Sequence, residues 1–264
     1  MTNPGRRPPR ESAGRTRPKP NATPDDLAFG INACAMALEV GAVRQLLYLG
    51  ETRNDRVHAL AQVATEAGIR VEQVDLRRLD ELTGGGVHQG VLVRLREIES
   101  ADLRAIATAR GPALVLLLDG ITDPQNVGAI LRTAVAAGVA AIVLPRRRGA
   151  QLTPGVHRAS AGLSFLAPVA SPQNLAQAVE ILKEHGYWIV AADAGDGAQP
   201  ATGFDWPQKT ALVLGSEGEG VSHLLRKESD FAVAIPMDAR VESLNVGVAC
   251  GVLCYLYRRQ WALS

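Results

Sequence analysis

Three short apolar runs in this chain each empty into a polar loop, and that pattern restricts the fold more than any other feature. The segments are residues 114–132 (LVLLLDGITDPQNVGAILR), 211–222 (ALVLGSEGEGVS) and 232–246 (AVAIPMDARVESLNV). Each opens on aliphatic residues and then passes into Gly, Asp, Asn or Glu, the signature of a buried parallel strand ending in a loop. Ligands in open α/β sheets sit beyond such carboxyl ends. The three loops are therefore candidates to build one site.

The same grammar extends through the second half. Strands are expected at 113–118, 140–144, 187–191, 211–214 and 232–235, alternating with helices at 127–137, 175–185 and 244–259. Strand–helix alternation of this kind makes a mainly parallel sheet with helices on both faces. Ahead of it, helices at 29–40 and 56–67 and strands at 44–49, 71–74 and 91–95 form a compact α/β unit. A length of 264 residues accommodates two domains. The expected division is a disordered basic tail (1–24), an accessory domain (25–96), a linker with room for one helical turn (97–112) and a catalytic domain (113–264).

Charge and cysteine usage narrow the function classes. The net charge of +1 conceals a tail in which Arg6, Arg7, Arg10, Arg15, Arg17 and Lys19 face Glu11 alone, along with six of the fifteen prolines. Such a stretch cannot bury enough apolar surface to fold, and its charge suits either nucleic acid or simple solubility. No apolar run reaches the roughly 18 residues of a membrane span, and no secretory h-region opens the chain. Cys34, Cys250 and Cys254 have no metal-ligand spacing, so no metal is expected, and free cysteines fit a reducing cytoplasm.

Each loop has a bland reading and a chemical one. Asn126 is expected at or near a helix N-cap, with Arg132 six residues on and so roughly 120° from facing it around the helix. The pair shares a site only if the loop wraps inward; otherwise it is an ordinary cap and a surface Arg. The Gly215–Gly220 loop lacks dinucleotide-fingerprint order, and Glu217 and Glu219 would repel a phosphate. Two acids suit a cationic cofactor or an Arg held in place. Ser243 or Asn245 could simply cap the last helix.

Taken together, the motifs closely resemble those of the SpoU/TrmH family of RNA ribose 2′-O-methyltransferases. Residues 126–132 match every fixed position of N-x-G-x-x-x-R, Gly215–Gly220 matches the G-x-E-x-x-G frame, and Ile235-Pro236-Met237 with Ser243-Leu244-Asn245-Val246 matches the third motif. The resemblance implies S-adenosyl-L-methionine as cofactor, held by Gly215, Ile235 and Leu244 with Leu214 and Met237 as apolar neighbours. It implies Arg132, Asn126, Glu217, Ser243 and Asn245 as catalytic residues. It also implies a SPOUT-type α/β domain with a C-terminal trefoil knot, and a homodimer. The apolar stretch 244–256, with Gly247 and Gly251 spaced for close backbone approach, fits a subunit interface. In front, Gly30-Ile31-Asn32-Ala33 and Val87-His88-Gln89-Gly90-Val91 resemble the ribosomal-protein-like RNA-binding domain of the group that methylates a guanosine in 23S rRNA. That first signature usually has His where Asn32 stands. His88 could serve as a general base, but a structural or RNA-contact role fits its position outside the catalytic half better.

Rival readings remain at this level. A tRNA or antibiotic-resistance ribosomal target lies within the same family. A non-catalytic RNA-binding assembly factor would have lost part of motif one or three, and neither is damaged. An enzyme of small phosphorylated substrates would need a phosphate loop where Asp119 and Asp123 stand.

Overall fold

The structure is a computed structural model, and it describes residues 25–146 and 149–261. The expected basic tail at 1–24 lies outside the described residues.

The first unit runs β1 (Leu27–Phe29), α1 (Ile31–Glu39), β2 (Val43–Leu49), α2 (Asp55–Glu66), β3 (Arg70–Val74), α3 (Leu76–Thr83) and β4 (Val91–Leu95). Its sheet has the order β1-β4-β2-β3, with β2 and β3 parallel and the other pairs antiparallel. Strand alternation sorts the side chains: Leu46, Val91 and Val93 face Cys34 of α1 and Val57 of α2, while Leu47 and Leu92 face Leu79 of α3. The helix expected from residue 29 starts instead after Gly30. That residue adopts φ 90°, so the chain turns out of β1 before the helix begins. The sequence gives no sign of α3, a short, highly charged helix capped by Asp75, whose carboxylate accepts the Arg78 N–H at 2.8 Å.

The second unit continues with α4 (Leu103–Ala107), β5 (Ala113–Asp119), α5 (Pro124–Ala136), β6 (Ala141–Val143), α6 (Pro154–Ala159), a 3-10 turn at Leu163–Phe165 and β7 (Val169–Ala170). There follow α7 (Leu175–Glu184), β8 (Trp188–Ala192), β9 (Gln199–Pro200), β10 (Lys209–Gly215), α8 (His223–Glu228), β11 (Phe231–Ala234) and α9 (Val246–Gln260). Every pairing of its seven strands is parallel, in the order β7-β6-β5-β10-β8-β11-β9. Both faces are buried, as the unbroken apolar runs required. Leu114, Leu116 and Leu118 pack with α5 and α9, whereas Val115 and Leu117 pack with α4 and α7. Within the segment read as a linker, Leu103 and Ala107 of α4 belong to this second core.

Two close approaches fix the helices. A β-carbon built on Gly128 of α5 would stand 2.4 Å from the Ala159 Cβ of α6, so only glycine lets those helices meet there. Gly162, at φ 88°, lies against Asn32 and Met36 of α1, while Phe165 packs on the first unit's core. The two units are thereby joined through α6 and the 3-10 turn. Among the described residues no helix is long and apolar enough to cross a membrane.

Candidate active site

Strand order brings the three loops together. β5 and β10 are neighbours, with Asp119 paired in register to Gly215, so the first and second loops leave the sheet side by side. β11 lies beyond β8, and the segment after it crosses back over the strand ends to deliver Asn245. The Asp119 carboxylate accepts the Ser222 N–H at 2.7 Å, tying the end of β5 to the far end of the second loop.

Asn126, Glu217 and Asn245 meet in a triangle of side chains. Asn126 Nδ2 donates to Glu217 Oε1 at 3.2 Å, and Asn245 Nδ2 donates to Asn126 Oδ1 at 2.8 Å and to Glu217 Oε1 at 3.0 Å. Asn245 is also the N-cap of α9, its Oδ1 accepting the N–H groups of Gly247 (3.0 Å) and Val248 (3.3 Å). Capping therefore dictates that the amide nitrogen of Asn245 faces the other two residues. Asn126 is not the N-cap of α5: Asp123 caps it by accepting the Asn126 N–H at 3.0 Å, with Pro124 at the helix start. Proline at the first helical position marks the residue before it as the cap, a signal available in the sequence.

The structure keeps Arg132 out of this triangle. Six residues along α5 from Asn126, it is exposed and makes no hydrogen bond or ion pair among the described residues. The rotational offset expected from the sequence persists, because the helix is regular from Pro124 onward. Arg132 is thus an exposed guanidinium on α5, able to meet an anion from outside.

A cavity of about 170 Å³ lies at the ends of β8 and β11, lined by Asp193, Ile235, Met237, Ser243 and Leu244 among others. It is smaller than the roughly 300–1,000 Å³ of drug-sized ligand sites, which leaves room for only part of such a ligand. Its walls are largely apolar, and the carboxylate of Glu242 at its edge suits a cationic ligand. Ser243 is exposed at this cavity and does not join the triangle. Leu214 is buried in the core, leaving only its main chain to offer a ligand. Gly215 does not line the cavity, and a β-carbon there would lie 2.0 Å from the Gly220 carbonyl carbon. Glycine at 215 lets the Ser216–Gly220 turn fold back on its own strand.

A larger cavity, about 690 Å³, separates the two units between Arg44 and Arg96 on one side and Arg146 and His157 on the other. It contains no residue of the triangle. His157 stacks on Phe165 with ring centroids 4.4 Å apart, and its Nδ1 lies 2.8 Å from Ser164 Oγ. Burial lowers its pKa to about 4, so the ring is neutral near pH 7.

The signature residues of the first unit shape that unit's own loop. His88 is buried, with Nε2 3.1 Å from Asp80 Oδ1 and Nδ1 accepting the Gly90 N–H at 3.0 Å. Gln89, at φ 54°, accepts the Ile31 N–H at 3.0 Å. Both ring nitrogens of His88 are engaged, which fits the structural role and leaves no lone pair for a base. No group of His, Cys, Asp and Glu among the described residues has metal-site geometry.

Both units match known protein families. The model of the SpoU rRNA Methylase family matches residues 113–255, and that for RNA 2′-O ribose methyltransferase substrate binding matches residues 27–101. The chain is 37% identical over 244 residues to the 23S rRNA (guanosine-2′-O-)-methyltransferase RlmB of Yersinia pestis, covering 90% of this chain and 99% of that one. It is 36% identical to a putative TrmH family tRNA/rRNA methyltransferase of Staphylococcus haemolyticus, covering 89% and 96% respectively. Among solved structures, the AdoMet-bound rRNA methyltransferase from Sinorhizobium meliloti superposes with a TM-score of 0.74 at 27% identity, over 90% of this chain and 88% of that one.

Proposed function

The chain belongs to the SpoU rRNA methylase family, and from that membership we propose that it transfers the methyl group of S-adenosyl-L-methionine to the ribose 2′-OH of a guanosine in 23S rRNA. The observation that carries this reading is the triangle of Asn126, Glu217 and Asn245, in which one residue from each separate motif meets the other two. The guanosine target draws on the relatives named RlmB, and a tRNA target on relatives such as the Staphylococcus haemolyticus tRNA/rRNA methyltransferase.

The cofactor, when bound, supplies an electrophilic sulfonium methyl. Ile235, Met237 and Leu244 form the apolar cavity for its base, with Gly215 and Leu214 offering main-chain groups beside it. Ser243 stands where that cavity meets the substrate. The ribose hydroxyl is a weak nucleophile, and the proton it gives up on methylation passes to solvent water. Arg132 is not the group that takes it, since a guanidinium keeps its charge in proteins and has no lone pair to accept a proton. Arg132 grips the neighbouring phosphate and stabilises negative charge developing on the oxygen. Glu217 already accepts two amide N–H groups at Oε1, which leaves Oε2 to orient the hydroxyl.

RNA is bound by both units, the first acting as the accessory substrate-binding domain, and the cytoplasm is the compartment where rRNA and three free buried cysteines coexist. The C-terminal segment threads the trefoil knot of the family, consistent with its return across the strand ends. The active form is a homodimer joined through the catalytic halves. Val248, Val252 and Tyr255 are 54%, 37% and 53% exposed along one side of α9, an apolar stripe that another subunit would cover. Gly247 and Gly251 serve within the chain instead, where they face Ala129 and Thr133 of α5.

Calorimetry and a methyl-transfer assay test the reading together. Arg132→Ala should bind S-adenosylmethionine like the parent yet transfer no methyl group to rRNA, and Arg132→Lys should fail as well, because an ammonium cannot reproduce the planar fork. No cofactor heat from the folded parent, or near-normal turnover by the Lys variant, contradicts it.

A further inference from the structure

Arg226, on α8, bridges two loops that the three motifs do not connect. Its Nε pairs with Asp193 Oδ2 at 2.5 Å. Asp193 follows β8, lines the apolar cavity, and is the more buried partner, its side chain 16% exposed against 48% for Arg226. Its other carboxylate oxygen accepts the Gly195 N–H at 3.0 Å, and its own N–H donates to the Val233 carbonyl at 3.0 Å. With both oxygens and the main chain engaged, the Asp193 carboxylate has a single orientation at the cavity wall.

The same guanidinium reaches the second loop. A β-carbon built on Gly220 would stand 3.4 Å from Arg226 Nη2, so the free arm of the fork lies against this glycine, which is at φ 69°. Gly220 closes the turn that presents Glu217, its N–H donating to the Ser216 carbonyl at 2.9 Å. One planar side chain therefore pairs with the wall of the cavity through one edge and lies next to the Glu217 turn with another. No other ion pair of the described residues links these loops.

We propose that Arg226 is a positioning residue that sets the cofactor cavity and the Glu217 turn in register with each other. The proposal rests on the function inferred above. Arg226 touches neither the triangle nor any reacting atom; it acts through Asp193 on cofactor binding and through Gly220 on Glu217. Arginine is specifically required, because a lysine ammonium can pair with Asp193 but has no second arm for the turn.

The test is steady-state kinetics of the full chain with rRNA, with calorimetry for S-adenosylmethionine and for its uncharged product, S-adenosylhomocysteine. Arg226→Gln should raise KM for the cofactor about fivefold and lower kcat about tenfold, the scale of coupling between packed elements. Arg226→Lys should restore KM to within about twofold of the parent while kcat stays depressed. The product Kd should rise in the Gln variant by the same factor as that of S-adenosylmethionine, since position and not charge is at stake. KM and kcat within about twofold of the parent in both variants would overturn the proposal. So would full kcat in the Lys variant, or a Kd change confined to the charged cofactor. A parent that neither binds cofactor nor methylates RNA instead overturns the functional reading. Should Arg226→Gln fail to fold, Arg226→Lys alone decides through its split of kcat from KM.

Discussion

Replacing Gly128 by alanine probes the helix that carries Asn126 and Arg132. The added methyl would stand 2.4 Å from the Ala159 Cβ and 2.8 Å from the Ser160 main-chain nitrogen. Unbonded carbons prefer about 3.5–4.0 Å, so α5 and α6 must separate by about 1 Å, and main-chain atoms cannot rotate aside. Overpacking of this kind costs about 1–3 kcal/mol, offset by about 1 kcal/mol of better helix propensity. The net loss of about 0–2 kcal/mol should lower Tm by up to about 8 °C. Activity should suffer more, because a misplacement near 1 Å can cost about 100-fold in rate. Gly251→Ala is the control: its nearest neighbour would be Thr133 Cγ2 at 3.7 Å, an ordinary contact. There the propensity gain is unopposed, and Tm should hold or rise. Scanning calorimetry and methyl transfer on both variants give the comparison. If Gly128→Ala melts and turns over like the parent, the α5–α6 contact does not have the closeness on which this reasoning depends.

Three further outcomes follow from other parts of the structure. Asn245→Ala should lose the α9 cap and about 1 kcal/mol of stability, whereas Asn245→Asp should keep the cap but lose activity about 100-fold or more, since a carboxylate cannot donate to Glu217 and repels it. Equal activity in the Asp variant and the parent would remove Asn245 from the site. Val252→Asp should convert the homodimer to a monomer of 28.0 kDa by light scattering; a parent already at that mass would refute the dimer. Folding lowers the His157 pKa from 6.5 to about 4, so the unfolded chain binds the extra proton between those values. The contribution of His157 is present in full above pH 6.5 and is lost as pH falls toward 4, reaching about 3 kcal/mol. Denaturant melts across that range should show the loss, and His157→Phe should flatten it.

The parallel sheet was legible because its strands are buried on both faces and so read as unbroken apolar runs, most plainly in β5 and β10. Strand order was not legible. The adjacency of β5 and β10, and the return of the chain after β11, depend on packing between segments about 100 residues apart. The short elements α6, α8, β7 and β9 escaped because two to six residues carry no period. In the site, Asn126, Glu217 and Asn245 were named through motif resemblance, and spacing alone could not have joined them. Spacing did foretell the separation of Arg132 from Asn126. Asn126, expected at or near the N-cap, lies in the first turn behind Asp123 and Pro124, and the Asp193–Arg226 pair needed the three-dimensional neighbourhood of β8 and α8.

The most direct measurement is to incubate the full chain with methyl-labelled S-adenosylmethionine and unmodified 23S rRNA, then map the product by nuclease digestion and mass spectrometry. The account predicts label on a ribose as 2′-O-methylguanosine at one site, and none with Arg132→Ala. Label on a base, label scattered over many nucleotides, or unchanged transfer by the Arg132→Ala variant would contradict it.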